Sequence, residues 1–419
     1  MSPVLEAGRT RQRRQAPPRA WLVVAAAMFC IGWGGNQFTP LLIVYRAVSG
    51  YTQAGVDVFL GAYVVGLIPG LLVASALSDR YGRRPVMVAG LLASVTGSAL
   101  LALGPPCGPV AIIAGRVLSG VAVGIAMAVG TTWVTELSAA DGADGAGPRR
   151  SSIALTLGLG IGPGCAGALA QWAPLPLVLP YVAQIGLAVP ALALLGRWSA
   201  ETRFEDATMP FWDRLRVPAA GHRRFLRVVL PMAPWIFGSA GIAYAVVPQV
   251  VDARLGHWAL LFTAGLTVAT LGTGVAVQPL ARRLDDASTA RAVFVSMILM
   301  TGGVGAAALT AITQSPWAAV PVALLLGAAY GIAVVSGLLE VQRIARAGDL
   351  AGLTAVYYAL AYVGFLLPAV MAGLAHWLSY PVLLLALAVL AAACTAVIGT
   401  AWSRHLPTAL ATPRRLAPH

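Results

Sequence analysis

Charged residues are scarce in this 419-residue chain: only 10% are Asp, Glu, Lys or Arg, while 58% are hydrophobic. A soluble globular protein carries roughly 25% charged residues, so this chain lacks the polar side chains needed to cover a water-facing surface. Uncharged apolar runs of about 20 residues, the length that crosses a bilayer, recur along it. The sequence therefore excludes a soluble enzyme and a disordered chain, and it predicts a polytopic membrane protein.

Lysine, cysteine and histidine are also rare or missing. All 28 basic residues are arginine, which we attribute to the codon bias of a GC-rich genome. The four cysteines and five histidines show no spacing typical of a metal site or a disulfide framework. No GxxxxGKS/T loop for ATP is present. We therefore expect no metal, no cofactor and no enzymatic activity.

Twelve apolar segments predict an all-α membrane protein. Each is long enough to cross a hydrocarbon core of ~30 Å as a helix, and none alternates with polar residues as barrel strands do. The first exceeds the apolar region of a signal peptide, so we expect it to remain in the mature protein. The predicted segments are 21–44, 54–77, 85–104, 109–135, 152–171, 176–196, 226–249, 258–280, 292–312, 316–338, 353–375 and 379–402.

Arginines indicate the orientation of these segments. With the N-terminus in the cytoplasm, only Arg46, Arg116 and Arg254 fall outside the cytoplasmic loops and tails. By the positive-inside rule, both termini are then cytoplasmic and the protein is a multi-pass component of the cell (inner) membrane. The net charge of +13 is explained by this topology, so we expect membrane lipid and no nucleic acid as a partner.

The longest polar stretch divides the chain into two halves of six helices, an architecture that transporters use. Arg83 and Arg84 have counterparts in Arg282 and Arg283, and Glu136 has one in Glu340. The predicted parts are a cytoplasmic tail (1–20), an N-terminal six-helix bundle (21–196), a cytoplasmic central loop (197–225), a C-terminal six-helix bundle (226–402) and a cytoplasmic tail (403–419).

The most specific motif lies between the second and third helices, where residues 75–84 read SALSDRYGRR. It resembles the G-x-L-x-D-R-x-G-R-R signature of the major facilitator superfamily, with Ser75 in place of the first glycine. The resemblance implies a latch that closes the cytoplasmic face in the outward-facing state. A static salt bridge or a purely topogenic arginine cluster is the alternative. The predicted latch residues are Asp79, Arg80, Gly82, Arg83, Arg84 and Glu136.

Two further motifs narrow the resemblance. Residues 116–124 resemble the R-x-x-x-G-x-x-x-G element of helix 4, and residues 158–167 resemble the G-x-x-x-G-P-x-x-G-G motif of the drug/proton antiporters, with Ala166 replacing one glycine. A proline and several glycines allow helix 5 to bend and pack closely. A glycine-rich packing face is the alternative. The predicted hinge residues of helix 5 are Gly158, Gly162, Pro163 and Gly167.

Very few ionisable residues lie well inside the predicted membrane segments, where such residues are costly and usually functional. Arg116 lies in helix 4 and Asp57 in helix 2, at similar depth from the outer side. Their depth would allow them to pair, so we predict both as proton-coupling residues. In the alternative, Asp57 is solvated at the interface and only marks the end of helix 2.

Polar and aromatic residues suggest where a solute binds. In the superfamily, helices 1, 4, 7 and 10 line the cavity, and helix 1 here carries a polar patch beside Pro40. Together these residues predict a cavity that is aromatic, hydrogen-bonding and almost uncharged. Such a cavity suits an apolar or neutral amphipathic solute better than a sugar phosphate or a carboxylate. For each aromatic residue, helix packing is the alternative. The candidate binding residues are Asn36, Gln37, Trp235, Tyr244, Tyr330, Tyr358 and Tyr362.

These features predict a monomeric secondary transporter that exports hydrophobic or amphipathic small molecules in exchange for protons. Alternating access would move the two halves around a central site. An uptake symporter or facilitator for a small metabolite is the first alternative. A non-transporting receptor or assembly factor on the same scaffold is the second.

Overall fold

Twelve long apolar helices make up the fold. The computed structural model describes residues 19–142, 146–199, 201–202, 217–345 and 350–404. The helices that can cross a membrane are α1 Trp21–Ser49, α2 Gln53–Tyr81, α3 Arg83–Ala102, α4 Pro109–Ala140, α5 Gly147–Trp172, α6 Leu179–Trp198, α7 Phe225–Arg254, α8 Gly256–Ala276, α9 Arg291–Thr313, α10 Pro316–Ile344, α11 Gly352–Leu374 and α12 Tyr380–Thr400. The predicted all-α membrane fold is confirmed. Much of the expected tails and central loop lies outside the described residues.

The helix pairs of the two halves repeat one another. In the first half α2 packs on α4, α1 on α5 and α3 on α6. In the second half α8 packs on α10, α7 on α11 and α9 on α12. The halves meet through α2 against α11 and through α5 against α8. The chain thus forms two six-helix bundles with equivalent internal and mutual contacts.

Glycines bring the paired helices into backbone contact. A Cβ placed on Gly120 of α4 would lie 1.9 Å from the carbonyl oxygen of Tyr63 on α2. In the second half a Cβ on Gly331 of α10 would lie 2.0 Å from the carbonyl oxygen of Gly274 on α8. Small residues at such crossings permit close helix approach. Close packing of α2 and α4 therefore accounts for the first glycine after Arg116 in the helix 4 motif.

Several helices depart from regular α-geometry near the centre. α1 is interrupted at Gln37, between Trp21–Asn36 and Phe38–Ser49. Pro40 cannot donate a hydrogen bond to the Asn36 carbonyl, which explains the interruption. π-turns occur at Ala126–Gly130 in α4 and at Ile242–Val246 in α7. Such turns are frequent at functional sites.

The two ends of the helices differ in charge and in their turns. We call the end that carries the α2–α3 turn at Gly82 the basic end, since Arg83 and Arg84 follow that turn. The opposite end carries the turns at Gly50 and Gly256, both in the left-handed region with φ of 68° and 53°. We call it the far end.

Candidate functional site

A small cavity lies between the two bundles. Its volume is about 20 Å³, room for a single water molecule, so it is too small for an organic solute in this conformation. Helices of both halves contribute its walls. The lining residues are Gly35, Asn36, Leu60, Tyr63, Arg116, Leu159, Phe237, Tyr244, Leu271, Tyr330, Tyr362 and Phe365.

Aromatic rings form most of one wall. The ring of Phe237 on α7 stacks on Tyr362 of α11, with centroids 4.0 Å apart and an interplanar angle of 19°. Phe237 also stacks on Phe365 at 5.0 Å and packs against Tyr330 of α10 at 5.6 Å. Tyr63 of α2 reaches the same cluster, 6.3 Å from Tyr362. The wall therefore joins the two bundles through ring contacts.

Arg116 places a positive charge at this cavity. Its side chain is 2% exposed. Nη1 donates to the carbonyl oxygen of Gly35 at 3.2 Å, and Nε donates to that of Phe59 at 3.3 Å. The guanidinium carbon also lies over the rings of Phe38 and Tyr63, 4.6 and 4.7 Å from their centroids. Carbonyl dipoles and aromatic faces thus stabilise the cation.

Within the described ranges, no carboxylate neutralises Arg116, since none of the ion pairs there includes it. Guanidinium has five N–H donors, of which the two bonds above use Nε and Nη1. A buried cation without an anion is costly. The arrangement can therefore bind a negatively charged group through its remaining N–H donors.

Asp57 pairs with two glutamines and not with Arg116. Its carboxylate accepts hydrogen bonds from Gln53 at 2.9 Å and from Gln249 at 3.4 Å. Sequence depth alone had allowed an Asp57–Arg116 pair, and the structure does not form it. Asp57 is 1% exposed, so it is not the solvated helix end of the alternative. Its partners belong to the far end of the molecule.

Four of the seven candidate binding residues line the cavity: Asn36, Tyr244, Tyr330 and Tyr362. The other three do not. Gln37 points into the first bundle, where its Nε2 donates to Ser98 at 3.2 Å. Trp235 is buried, 6% exposed, outside the lining. Tyr358 packs beside Tyr357, with ring centroids 5.1 Å apart.

Sequence reasoning missed three aromatic residues of the cavity, namely Tyr63, Phe237 and Phe365. Phe237 lies seven residues before Tyr244 on α7, and Phe365 lies three residues after Tyr362 on α11. These helical spacings were a usable signal. Tyr63 was overlooked because α2 was not among the helices expected to line the cavity.

At the basic end, Arg83 joins the predicted latch residues. Its Nη1 lies 3.0 Å from Asp79, and its Nη2 lies 2.9 Å from Glu136 on α4. Nη1 also donates to Ser78 at 2.5 Å, and Thr202 donates its hydroxyl to Glu136. The side chain of Arg83 is only 6% exposed. The structure thus places Asp79, Arg83 and Glu136 in one partly buried ion-pair cluster.

Glu201, which sequence reasoning missed, completes this cluster. Its carboxylate accepts the backbone N–H groups of Arg83 at 2.8 Å and Arg84 at 2.9 Å. An anion at the start of α3 is stabilised by those free N–H groups and by the helix dipole. Gly82 has φ of 99°, and a Cβ there would lie 2.6 Å from Glu201. Arg80 lies instead over the Tyr81 ring, at 5.3 Å.

The second bundle has a more deeply buried counterpart. Glu340 of α10 accepts from Nε and Nη2 of Arg224 at 2.5 and 2.8 Å, and from Arg343 at 3.1 Å. Arg343 also pairs with Asp285. The repeat in the sequence pointed to Arg282 as the counterpart of Arg83, but Arg282 is exposed. Arg224 takes that place because it directly precedes α7 and lies against the C-terminal part of α10.

The glycines of the α5 motif serve two interfaces. A Cβ on Gly158 would lie 2.2 Å from the Phe29 carbonyl oxygen, and one on Gly162 would lie 2.7 Å from that of Trp33, both on α1. On the other side, a Cβ on Gly167 would lie 2.5 Å from the Cβ of Ala264 on α8 of the opposite bundle. Pro163 is buried within the helix. The motif therefore sits between a contact inside the first bundle and one between the bundles.

We expect Gly158→Ala to destabilise the protein by about 1–3 kcal/mol, because the new methyl group would force α1 and α5 apart. Gly160→Ala is the matched control, since a Cβ there meets nothing within 4 Å. It should be neutral or slightly stabilising, as alanine favours helix. Thermal unfolding of the purified variants measures both. Equal midpoints for the two variants would contradict the close α1–α5 contact.

Known proteins share this fold and part of this sequence. A family profile described as Major Facilitator Superfamily matches residues 24–367. The 4-hydroxybenzoate transporter PcaK of Pseudomonas aeruginosa is 25% identical over 316 residues, 68% of this chain and 64% of that protein. The match thus spans less than two thirds of that relative.

Two solved structures have a similar fold. The human organic anion transporter MFSD10 (TETRAN) superposes with a TM-score of 0.63 at 19% identity, over 91% of this chain and all of that one. A POT family transporter in complex with 5-aminolevulinic acid superposes with a TM-score of 0.68 at 11% identity, over 93% of this chain and 97% of that one. The profile match over most of the chain shows that it belongs to the Major Facilitator Superfamily, and the twelve apolar helices make it a multi-pass membrane protein of that family.

Proposed function

We propose that this transporter carries amphipathic organic solutes that combine an aromatic body with one negative charge. The observation that carries the proposal is Arg116, a buried cation beside an aromatic cavity, with no carboxylate partner among the described residues. A carboxylate of the solute would supply the missing anion, and a bidentate contact with guanidinium is the strongest available. The rings of Phe237 and Tyr362 would stack on the aromatic body.

The sequence relative points to the same chemistry. It is named for 4-hydroxybenzoate, which carries one carboxylate on a phenol ring. The aromatic, hydrogen-bonding cavity expected from sequence is retained in this proposal. What changes is the charge of the solute, because Arg116 has no partner in Asp57. We therefore favour an organic anion over a neutral compound.

We further propose that the basic end faces the cytoplasm, as the arginine distribution indicates. The closed cavity then opens alternately to the two sides as residues 21–196 rock against residues 226–402. Export in exchange for protons is our first proposal, because α5 resembles the antiporter motif. Uptake with a proton is the alternative. With no ATP-binding motif in the sequence, an ion gradient or the solute gradient drives transport.

Charge balance separates these two directions. Exchanging an outgoing monoanion for an incoming proton moves net positive charge inward, and a negative interior drives it. Moving a monoanion together with one proton is electroneutral. A potassium gradient with valinomycin should therefore accelerate the antiporter and leave the symporter unchanged. A trapped pH dye reports the direction of proton movement in either case.

The test uses proteoliposomes and two matched probes. 4-Hydroxybenzoate should be transported well above protein-free liposomes, and neutral 4-hydroxybenzamide, of nearly the same shape, should not. Equal transport of the amide, or transport only of apolar neutral compounds, would contradict the anion proposal and restore the neutral solute expected from sequence. Tetraphenylphosphonium, added in the same assay, tests whether lipophilic cations are transported.

We propose that the Arg83 cluster gates the basic end. Arg83→Gln or Asp79→Ala should lower the initial transport rate at least tenfold while the protein stays in the membrane, because a partly desolvated ion pair would lose one partner. Arg149→Gln, an exposed arginine at the start of α5, is the matched control. Normal transport by Asp79→Ala would leave this cluster as a static salt bridge.

A further inference from the structure

A polar network at the far end crosses from one bundle to the other. Asp57 of α2 is 1% exposed. Its Oδ2 accepts from Gln53 Nε2 of the same helix at 2.9 Å, while Oδ1 accepts from Gln249 Nε2 on α7 at 3.4 Å. Tyr380 at the start of α12 donates its hydroxyl to Gln249 Oε1 at 3.3 Å. A buried carboxylate thus holds a side chain of the opposite bundle.

Further contacts close the same end. Arg46 of α1 lies 3.9 Å from Asp252 of α7, and both side chains are about one third exposed, at 37% and 33%. Gln171 of α5 donates to the carbonyl oxygen of His257 at 3.2 Å. A second small cavity adjoins the network and shares Tyr244 with the central cavity. The network therefore lies between the central site and the far end.

The amide of Gln249 has a defined orientation. Its oxygen accepts from Tyr380, so its NH₂ group faces Asp57. An ionised carboxylate accepts from that NH₂ group, and charge assistance strengthens the bond. A proton on Oδ1 would point at the NH₂ group of Gln249, so that two hydrogen-bond donors would face each other. A proton on Oδ2 would leave a neutral and weaker acceptor for Gln249, so either position weakens the contact between bundles.

The side-chain oxygen of Gln53 can accept a hydrogen bond from a protonated Asp57. Among the described residues, its buried Oε1 has no hydrogen-bond partner, and rotation of the amide would present that oxygen to a protonated Oδ2 of Asp57. If Gln249 rotated in the same way, its NH₂ group would turn to the Tyr380 hydroxyl, which can also accept, and its bond to a protonated Asp57 would lose the assistance of the negative charge. Asp57 can therefore gain a proton with a local partner while its bond to the opposite bundle weakens.

We propose that Asp57, Gln249 and Tyr380 form a proton-sensitive gate at the far end, the far-end gate. It is closed while Asp57 is ionised and favours the open state when Asp57 is protonated. The inference rests on the alternating access and the orientation proposed above, which place this gate on the outer side. It gives Asp57 a role in coupling through Gln249 rather than through Arg116.

The other charged and titratable groups at this gate have different roles. Arg46 lies 3.9 Å from Asp252 and pairs with that carboxylate. Tyr380 serves as a hydroxyl donor to Gln249. Asp252 is the second carboxylate near the network, but it is partly exposed and bonded to Arg46. Because exposed pairs contribute little, Asp252 serves as the matched control for Asp57.

The test measures opening directly by double electron–electron resonance in lipid nanodiscs, without a solute. Spin labels are placed at V48C and W258C for the far end and at Y81C and L280C for the basic end, all exposed positions. The full chain is used with its four native cysteines replaced. For the otherwise unchanged protein, lowering the pH should raise the ratio of open to closed far-end distances about tenfold, the effect of losing one hydrogen bond to a charged group.

Variants then distinguish protonation of Asp57 from a general effect of pH on the protein. Asp57→Asn should show the open shift at every pH and no pH response. Gln249→Leu should also open the far end and lose the response, although it removes no titratable group. Asp252→Asn should keep the response and shift the ratio fivefold or less.

A pH response retained by Asp57→Asn, or a closed far end in both Asp57→Asn and Gln249→Leu, would overturn the proposal. The labels at the basic end report whether opening there changes in the opposite sense, as alternating access requires. Because no solute is present, this result is independent of the 4-hydroxybenzoate assay. A failed transport assay with an intact pH response would reject the solute and keep the gate.

Discussion

Arg116→Gln is expected to lower the transport efficiency for 4-hydroxybenzoate at least about 30-fold. Truncating one partner of a buried, hydrogen-bonded charge pair costs about 2–5 kcal/mol, and every 1.4 kcal/mol is a factor of ten. Arg116 is 2% exposed at the cavity, so the carboxylate would lose a largely desolvated cationic partner. Initial rates over a range of concentrations measure the loss.

Two controls keep this result interpretable. Arg116→Lys keeps the charge but loses the planar fork, so we expect an intermediate rate. Arg227→Gln removes an exposed arginine near the start of α7 and should transport normally. Thermal unfolding shows whether Arg116→Gln is folded, since its bonds to Gly35 and Phe59 are lost too. A folded Arg116→Gln variant with full transport of the anion would contradict the proposed site.

Glu340→Leu is expected to destabilise the folded protein by about 3–5 kcal/mol, the cost of leaving a buried charge unpaired. Arg224 and Glu340 have side chains that are 0% and 2% exposed. Two hydrogen bonds join them, at 2.5 and 2.8 Å. Without Glu340, the Arg224 side chain would keep one hydrogen bond within the described part of the chain, to the carbonyl oxygen of Arg404. Thermal unfolding and the amount of protein in the membrane measure the effect.

The double variant Arg224→Met with Glu340→Leu provides the decisive comparison. It removes both charges, so most of the stability should return although the ion pair is gone. Asp252→Asn breaks an exposed pair and should cost under about 1 kcal/mol. If the double variant were as unstable as Glu340→Leu alone, the damage would come from packing and not from the unpaired charge of Arg224.

The membrane fold could be predicted from sequence because the bilayer imposes a strict length. The predicted segment 85–104 became α3 Arg83–Ala102, and 316–338 became α10 Pro316–Ile344. The predicted and observed helix bounds differ most where helices continue beyond the apolar core into polar residues such as Glu340. Hydropathy detects the part within the lipid, and the polar final turns require knowledge of their partners.

Local motifs predicted local geometry equally well. Gly82 adopts the positive φ that the α2–α3 turn requires, and Arg83 meets both Asp79 and Glu136. Glu201 could not be found in this way. It lies far along the chain in the central loop, and only the folded arrangement brings its carboxylate to the N–H groups of Arg83 and Arg84.

The cavity was predicted in part. Tyr244, Tyr330 and Tyr362 line it, whereas Gln37 turns into the first bundle beside Asn36, which does line it. Neighbouring residues on a helix point about 100° apart. In uniformly apolar helices nothing in the sequence shows which direction faces the centre. The rotation of each helix is set by its packing partners.

By itself, the sequence determined that the chain crosses the membrane twelve times as helices. The length of an apolar run and the placement of arginines are local properties, and the bilayer acts on each segment separately. Only the tertiary structure decided the partners of Arg116 and Asp57. Arg116 lies among carbonyl oxygens and aromatic rings, and Asp57 holds Gln249, 192 residues away on the opposite bundle. Such contacts depend on how two bundles pack together, a relation that no local pattern along one chain contains.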